Sequence, residues 1–239
     1  MQRAFLAVLL LAFAVFPLGR GVAEDRFAPI PNSLRYDTIG SELREVIEGA
    51  AFTGERKDIV FKGHRVVYEY LLNHLDFTSQ LARILDLSDY VIEQTGDDTY
   101  EATTPKGGWA HLQVVYADGN KRVVLAQGRY GRAVVVLQYA SFNRDGDSYM
   151  VNDLYGYVRA DNPILNLLLA LFGGVLDHRV AEILTSVAEL SERAYRTPAS
   201  FSQELAGHTE LNPDDRLEFA NILERVPRHD VNTQPFLPI

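Results

Sequence analysis

Cysteine is absent from this 239-residue chain, and tryptophan occurs once. Without cysteine there is no disulfide framework, no thiolate zinc site and no N-terminal cysteine for a lipid anchor. Other signatures are also missing. None of the histidines His64, His74, His111, His178, His208 and His229 forms a His-x-x-x-His pair with a glutamate base, and there is no Gly-x-Ser-x-Gly elbow or phosphate-cradling glycine loop. The sequence therefore gives no metal site and no cofactor. Asp145-Gly146-Asp147 has the look of a calcium-loop fragment but lacks the acidic ligands that should follow, and reads as a hairpin turn. A formal charge of −9 disfavours nucleic acid as a partner and gives no general attraction to anionic lipid.

What is present begins with a leader. Met1-Gln2-Arg3 is a short positive region, Ala4 to Leu18 is apolar, and Gly21-Val22-Ala23 is a small-x-small cleavage site. This pattern predicts a secretory signal peptide over residues 1–23. The apolar run, about 15 residues, falls short of the roughly 20 that span a bilayer. Export without cysteine fits a bacterial periplasm. The remaining chain is long enough for a sizeable core without staples.

Residues 24–54 read as an extended leader followed by a short helix, Ser41 to Ala51, with Ser41 as N-cap and Gly54 as the stop. Lys57 to Lys62 reads as a strand. His64 to Leu75 reads as a helix with Val67, Leu71, Leu72 and Leu75 inward, and Asp76 as the N-cap of a second helix over Phe77 to Leu85. Six strand-like runs follow: Tyr90–Gln94, Thr99–Thr104, Trp109–Ala117, Lys121–Tyr130, Arg132–Asn143 and Asp147–Arg159. Gly, Asp and Pro punctuate them at hairpin spacing, which predicts an antiparallel meander.

Asp161 to Arg196 reads as one long helix with two unlike halves. Ile164 to Leu176 is apolar almost all round, broken by Asn166 and Gly173-Gly174; from Asp177 onward the helix is amphipathic. The apolar half has three readings: a core wall, a lid hinged at the glycines, or a surface for transient membrane contact. Residues 198–239 add a turn or short helix over Ala199 to Ala206, a helix over Pro213 to Arg225 and an extended tail.

The order of KDIVFK, HRVVYEYLLNHLDFTSQLARIL, the meander from Tyr90 and the helix from Asp161 resembles the helix-grip fold of the START-like (SRPBCC, polyketide-cyclase-like) superfamily. The resemblance covers residues 55–197 and is one of order, without a diagnostic motif. It implies an α+β domain in which a curved antiparallel sheet of about six to seven strands wraps on a long C-terminal helix, with extra terminal helices here. It also implies an apolar cavity between sheet and helix. Members commonly bind lipids, sterols, polyketides or other apolar molecules, and a minority catalyse.

Strand alternation sorts the possible cavity faces. Trp109, His111, Gln113 and Val115 share one face, opposite Ala110, Leu112, Val114 and Tyr116. Tyr149, Val151, Asp153, Tyr155 and Tyr157 share another, opposite Met150, Asn152, Leu154, Gly156 and Val158; Tyr139 sits with Val135 and Leu137. Alternation leaves open which face is concave. The ligand-binding candidates are Trp109, His111, Tyr139, Asp153, Tyr155, Leu167, Leu171, Gly174 and His178. The expected function is that of an exported carrier of an apolar small molecule or lipid. Two alternatives stand beside it. One is a cyclase- or hydrolase-like enzyme in which Asp153 orients His111 as general base. The other is a non-catalytic envelope interaction protein with a filled cavity.

Overall fold

The computed structural model describes residues 27–34, 38–105, 107–162 and 177–226, with the side chains of Thr38 and residues 177–182 excepted. The signal segment 1–23, the apolar stretch Ile164–Leu176 with Gly173-Gly174, and the tail from residue 227 lie outside these residues.

Helix α1 (Thr38–Glu48) precedes strand β1 (Phe52–Lys62), and the short helices α2 (Arg65–Asn73) and α3 (Leu75–Ile84) follow. The meander is β2 (Val91–Gly96), β3 (Thr99–Thr103), β4 (Trp109–Ala117), β5 (Lys121–Gly128), β6 (Gly131–Arg144) and β7 (Asp147–Ala160). Three helices close the described chain: α4 (Asp177–Arg196), α5 (Pro198–Ala206) and α6 (Pro213–Arg225). The sheet is seven-stranded and antiparallel in the order β1-β7-β6-β5-β4-β3-β2. This is the helix-grip arrangement expected from the sequence. The first strand crosses to pair with the last, so the two helices after it pack on one face of the sheet.

Several boundaries move, each for a local reason. Helix α1 starts at Thr38, three residues before Ser41, and ends where the Gly49 N–H donates to Glu45 O. Gly54 is no stop. It lies inside β1 opposite Gly156, because β7 is long enough to pair Phe52–Arg56 with Val158–Leu154. Cross-strand pairing overrides the turn preference of glycine there. His74, not Asp76, is the N-cap of α3, and Asp76 sits in its first turn. The Asn212 cap of α6 is as expected, its side chain accepting from Asp214 N at 2.9 Å.

Two bulges set which residues share a face. The β1 register shifts between Arg56 and Ile59, with Asp58 at φ 56°. The β4 register shifts between Val114 and Tyr116. The second bulge brings Tyr116 to the same side as Val115, so Tyr116 leaves the face that strict alternation gave it.

The sheet is covered on both faces. On the outer face, Val123, Leu125, Val134, Val136 and Tyr157 pack against Leu43, Val46 and Ile47 of α1 with Ile30 and Leu34. On the inner face, Leu137, Tyr139 and Met150 join Val67, Tyr68 and Leu71 of α2 and Val187, Leu190 and Ala194 of α4. Helices α5 and α6 belong to this same core. Phe201, Leu205, Phe219 and Leu223 are all at most 2% exposed, and Phe219 meets the rings of Tyr70, Phe77 and Phe201 at 5.2, 5.4 and 6.1 Å. The C-terminal end of α4 is tied to the sheet edge. The Tyr195 hydroxyl donates to Asp147 Oδ1 at 2.8 Å and accepts from Ser148 N at 3.1 Å, while Lys62 Nζ lies 2.5 Å from Asp147 Oδ2. Burial pushes the Tyr195 hydroxyl up to about 12.

Candidate functional site

The inner face of the sheet is the one that α2 and α4 cover. It carries a buried end and an open stretch. At the buried end, the sheet residues lie beneath α2. Farther along, Leu112, Val124, Ala126, Ala133, Val135 and Gly156 are only half-buried, although all face the helix side. A row of one leucine with small and β-branched residues in this state forms an apolar wall that the described helices do not fully cover. At one margin of it Leu112, Val124 and Ile183 of α4 all pack against the buried cluster of Tyr90, Ile92, Tyr100 and Val114.

The buried end is polar. Arg122, on β5, is 9% exposed. Its Nη1 donates to Leu72 O at 3.2 Å and its Nη2 to Asn73 Oδ1, so the guanidinium closes the C-terminal end of α2 across the sheet. A cation there is favoured by the partial negative charge of the helix terminus. Tyr100 joins it through its hydroxyl, 3.3 Å from Asn73 O. Beside Arg122, the Tyr139 hydroxyl donates to Asp118 O at 3.0 Å, and its ring meets Tyr68 edge-on at 5.4 Å. Asn152 Nδ2 donates to the Tyr68 hydroxyl at 2.6 Å. Burial pushes the Tyr68 hydroxyl well above its ordinary range, and the Tyr139 hydroxyl upward as well. Both phenols are therefore neutral donors at physiological pH. Arg122, Tyr68, Tyr139 and Asn152 thus close one end of an apolar wall.

The residues expected from the sequence divide between the two faces. Tyr139 is on the inner face, 4% exposed and inside the core. Trp109, His111, Asp153 and Tyr155 are on the outer face. Trp109 is 48% exposed. Tyr155 packs against the outer cluster under Lys57 Nζ, 5.7 Å from its ring centroid. Leu167, Leu171, Gly174 and the His178 side chain lie outside the described residues.

The His111–Asp153 pair does not form. His111 aligns through Gln127 and Arg132 with Arg159, three strands away and six residues from Asp153. That is about 14 Å across the sheet and about 20 Å along it. Asp153 instead accepts from Asp58 N at 2.9 Å and holds the β1 bulge. Its carboxylate supports a left-handed backbone position, which is a structural use of an acid on a sheet face. No group of three or more His, Cys, Asp or Glu that could hold a metal occurs among the described residues. No helix among the described residues is long and apolar enough to cross a membrane.

Sequence reasoning missed Arg122, Asn152 and Tyr68. A signal existed for two of them. Arg122 is in phase with Val124 and Ala126, and Asn152 with Met150 and Leu154, so each is a polar residue on an otherwise apolar strand face. Tyr68 sits beside Val67 in α2 and gives no such contrast.

No protein-family model matches the chain, and no curated protein matches it. Solved structures do resemble it. A START superfamily protein from Mycobacterium smegmatis aligns at a TM-score of 0.44 and 8% identity, covering 59% of this chain and 97% of that one. A conserved protein from Geobacillus kaustophilus aligns at 0.42 and 15%, covering 59% and 97%. A truncated norcoclaurine synthase from Thalictrum flavum aligns at 0.41 and 11%, covering 58% and 93%. Identity and TM-score are low in all three, so the fold stands on the chain's own element order and strand pairing.

Proposed function

We propose that this chain is an exported, periplasmic carrier that holds a lipid against the inner face of its sheet. One observation carries the reading: the half-buried apolar wall of Leu112, Val124, Ala126, Ala133, Val135 and Gly156, set between elements that are otherwise closely packed. Water gains little from such a surface, and a hydrocarbon chain laid on it would contribute about 0.8 kcal/mol per buried methylene. A wall with few polar groups at one end suits an apolar body with a polar tip. Export rests on the leader pattern of residues 1–23.

The test is uptake of the neutral fluorophore N-phenyl-1-naphthylamine by delipidated full chain. Wild type is expected to take it up saturably. Val124→Trp, which sets a bulky ring on the wall, is expected to lose most of that uptake while the far-UV circular dichroism spectrum stays as in wild type. Equal uptake by the two proteins would remove the wall as the site. Export is checked separately by the N-terminal sequence of the protein recovered from the envelope, expected to begin at Glu24.

A further inference from the structure

We propose that the carried molecule is a single-chain amphiphile with a terminal carboxylate, and that Arg122 binds the carboxylate with help from Tyr68 and Asn152. This rests on the carrier reading above and names its ligand class.

The argument begins with unused hydrogen-bonding capacity. Arg122 Nε is buried and has no acceptor, and no carboxylate forms an ion pair with this guanidinium among the described residues. A buried cation without a countercharge is uncommon, because several kcal/mol of solvation are forfeited. The end of α2 offsets part of this charge but occupies only Nη1 and Nη2. Asn152 Oδ1 is also buried without a partner, at 3% residue exposure. Tyr68 accepts from Asn152, and its own proton has no acceptor among the described residues.

The amide orientation of Asn152 is an assignment that can be reversed. Reversal lets Tyr68 donate to Oδ1 and leaves the two amide hydrogens unused. Either way, at least two donors remain beside Tyr139: Arg122 Nε–H together with Tyr68 O–H, or with Asn152 N–H. Donors in surplus around one cation call for an anionic oxygen acceptor.

Position then selects the kind of anion. Arg122 shares its inner-face row with Leu137 and Leu154, and Val124 is the next inner-face residue on the same strand, about 7 Å away. The apolar wall therefore runs up to the guanidinium and stops. Tyr68, Tyr139, Leu137 and Leu154 close the far side, all at most 5% exposed. A phosphodiester carries substituents on both sides and could not terminate there. A carboxylate ends its molecule, carries one negative charge and offers two oxygens to the two or more donors.

The experiment is displacement of N-phenyl-1-naphthylamine from the full chain by hexadecanoic acid, 1-hexadecanol and methyl hexadecanoate, below their aggregation limits at pH 8. These ligands share a sixteen-carbon apolar chain and differ in the head. Wild type is expected to bind the acid at least about tenfold more tightly than the alcohol or the ester, the usual scale of a charge-assisted hydrogen bond. In Arg122→Gln the ratio of acid to alcohol affinity is expected to fall below about threefold. Asn152→Asp, which places a carboxylate in the site, is a second variant and is expected to bind the alcohol in preference to the acid. Equal displacement by the three amphiphiles in wild type overturns this inference without any variant. A probe that binds but is displaced with the same ratio in both variants also overturns it. Failure of the probe and all three amphiphiles to bind overturns the carrier reading, and this inference with it.

Discussion

Phe219→Ala should destabilise the whole domain, although Phe219 lies in a C-terminal helix beyond the minimal helix-grip order. Its side chain is fully buried among Tyr70 of α2, Phe77 of α3 and Phe201 of α5. Truncating a buried phenylalanine costs about 3–5 kcal/mol, and each lost ring pair adds to the area term. We therefore expect about 4 kcal/mol, or a melting temperature lower by roughly 8–16 °C at this chain length. The assay is urea unfolding followed by far-UV circular dichroism and tyrosine fluorescence together. The midpoint should fall, the slope should hold, and the two probes should coincide. Leu217→Ala, on the same helix but 63% exposed, is the control and should stay within about 0.5 kcal/mol. A loss below about 1 kcal/mol for Phe219→Ala, or an early transition confined to α5 and α6, would show that these helices are an independent appendage. The consequence reaches the site, since α6 backs α2, and α2 carries Tyr68 and the carbonyl that Arg122 engages.

Other outcomes follow from single contacts. Tyr195→Phe removes a donor to Asp147 and an acceptor for Ser148 N, and should cost about 2 kcal/mol in urea unfolding; no change would mean that α4 is held by apolar contact alone. The Asp118 carboxyl is held below the ordinary carboxylate range by the Asn120 N–H first, then by the Tyr116 hydroxyl, the Lys121 N–H and the Lys121 charge. Its folded pKa lies below the unfolded one. Its stabilisation is therefore complete above the unfolded value of about 3.9 and is lost as pH falls through the folded value. Wild type and Asp118→Ala should differ in urea midpoint at pH 7 and converge toward pH 2, and a gap that persists there contradicts the sign. His111→Ala should leave probe uptake as in wild type, because His111 faces away from the wall; a large loss would place the ligand on the outer face.

Local pattern made the meander legible. Trp109–Ala117 and Pro213–Arg225 start and stop where alternation, turn residues and caps place them. The rule behind them is short-range: a residue and its near neighbours decide. The start of β1 was not legible, because Phe52–Arg56 becomes strand through β7, about a hundred residues away. Apart from Tyr116, which a bulge moves across, the faces were legible as sets but not as inside or outside. Both faces of the central strands are apolar here, one for α1 and one for α2 and α4, so hydrophobicity alone does not separate them. The aromatic and ionisable residues that drew attention, Trp109, His111 and Asp153, proved to be on the α1 side, one exposed, one half-buried and one bracing a bulge. The buried polar group lay instead in an arginine and an asparagine in phase with apolar neighbours, a quieter pattern that tertiary burial makes meaningful.

The most direct test of the carrier account is native mass spectrometry of the full-length product purified without detergent from its own source, followed by extraction and identification of any released molecule. The account predicts a bound amphiphile near one-to-one, acidic and single-chained, and a mass shift when delipidated protein is offered hexadecanoic acid. A clean unliganded mass from the source, with no shift on adding the acid, the alcohol or the ester, would contradict it.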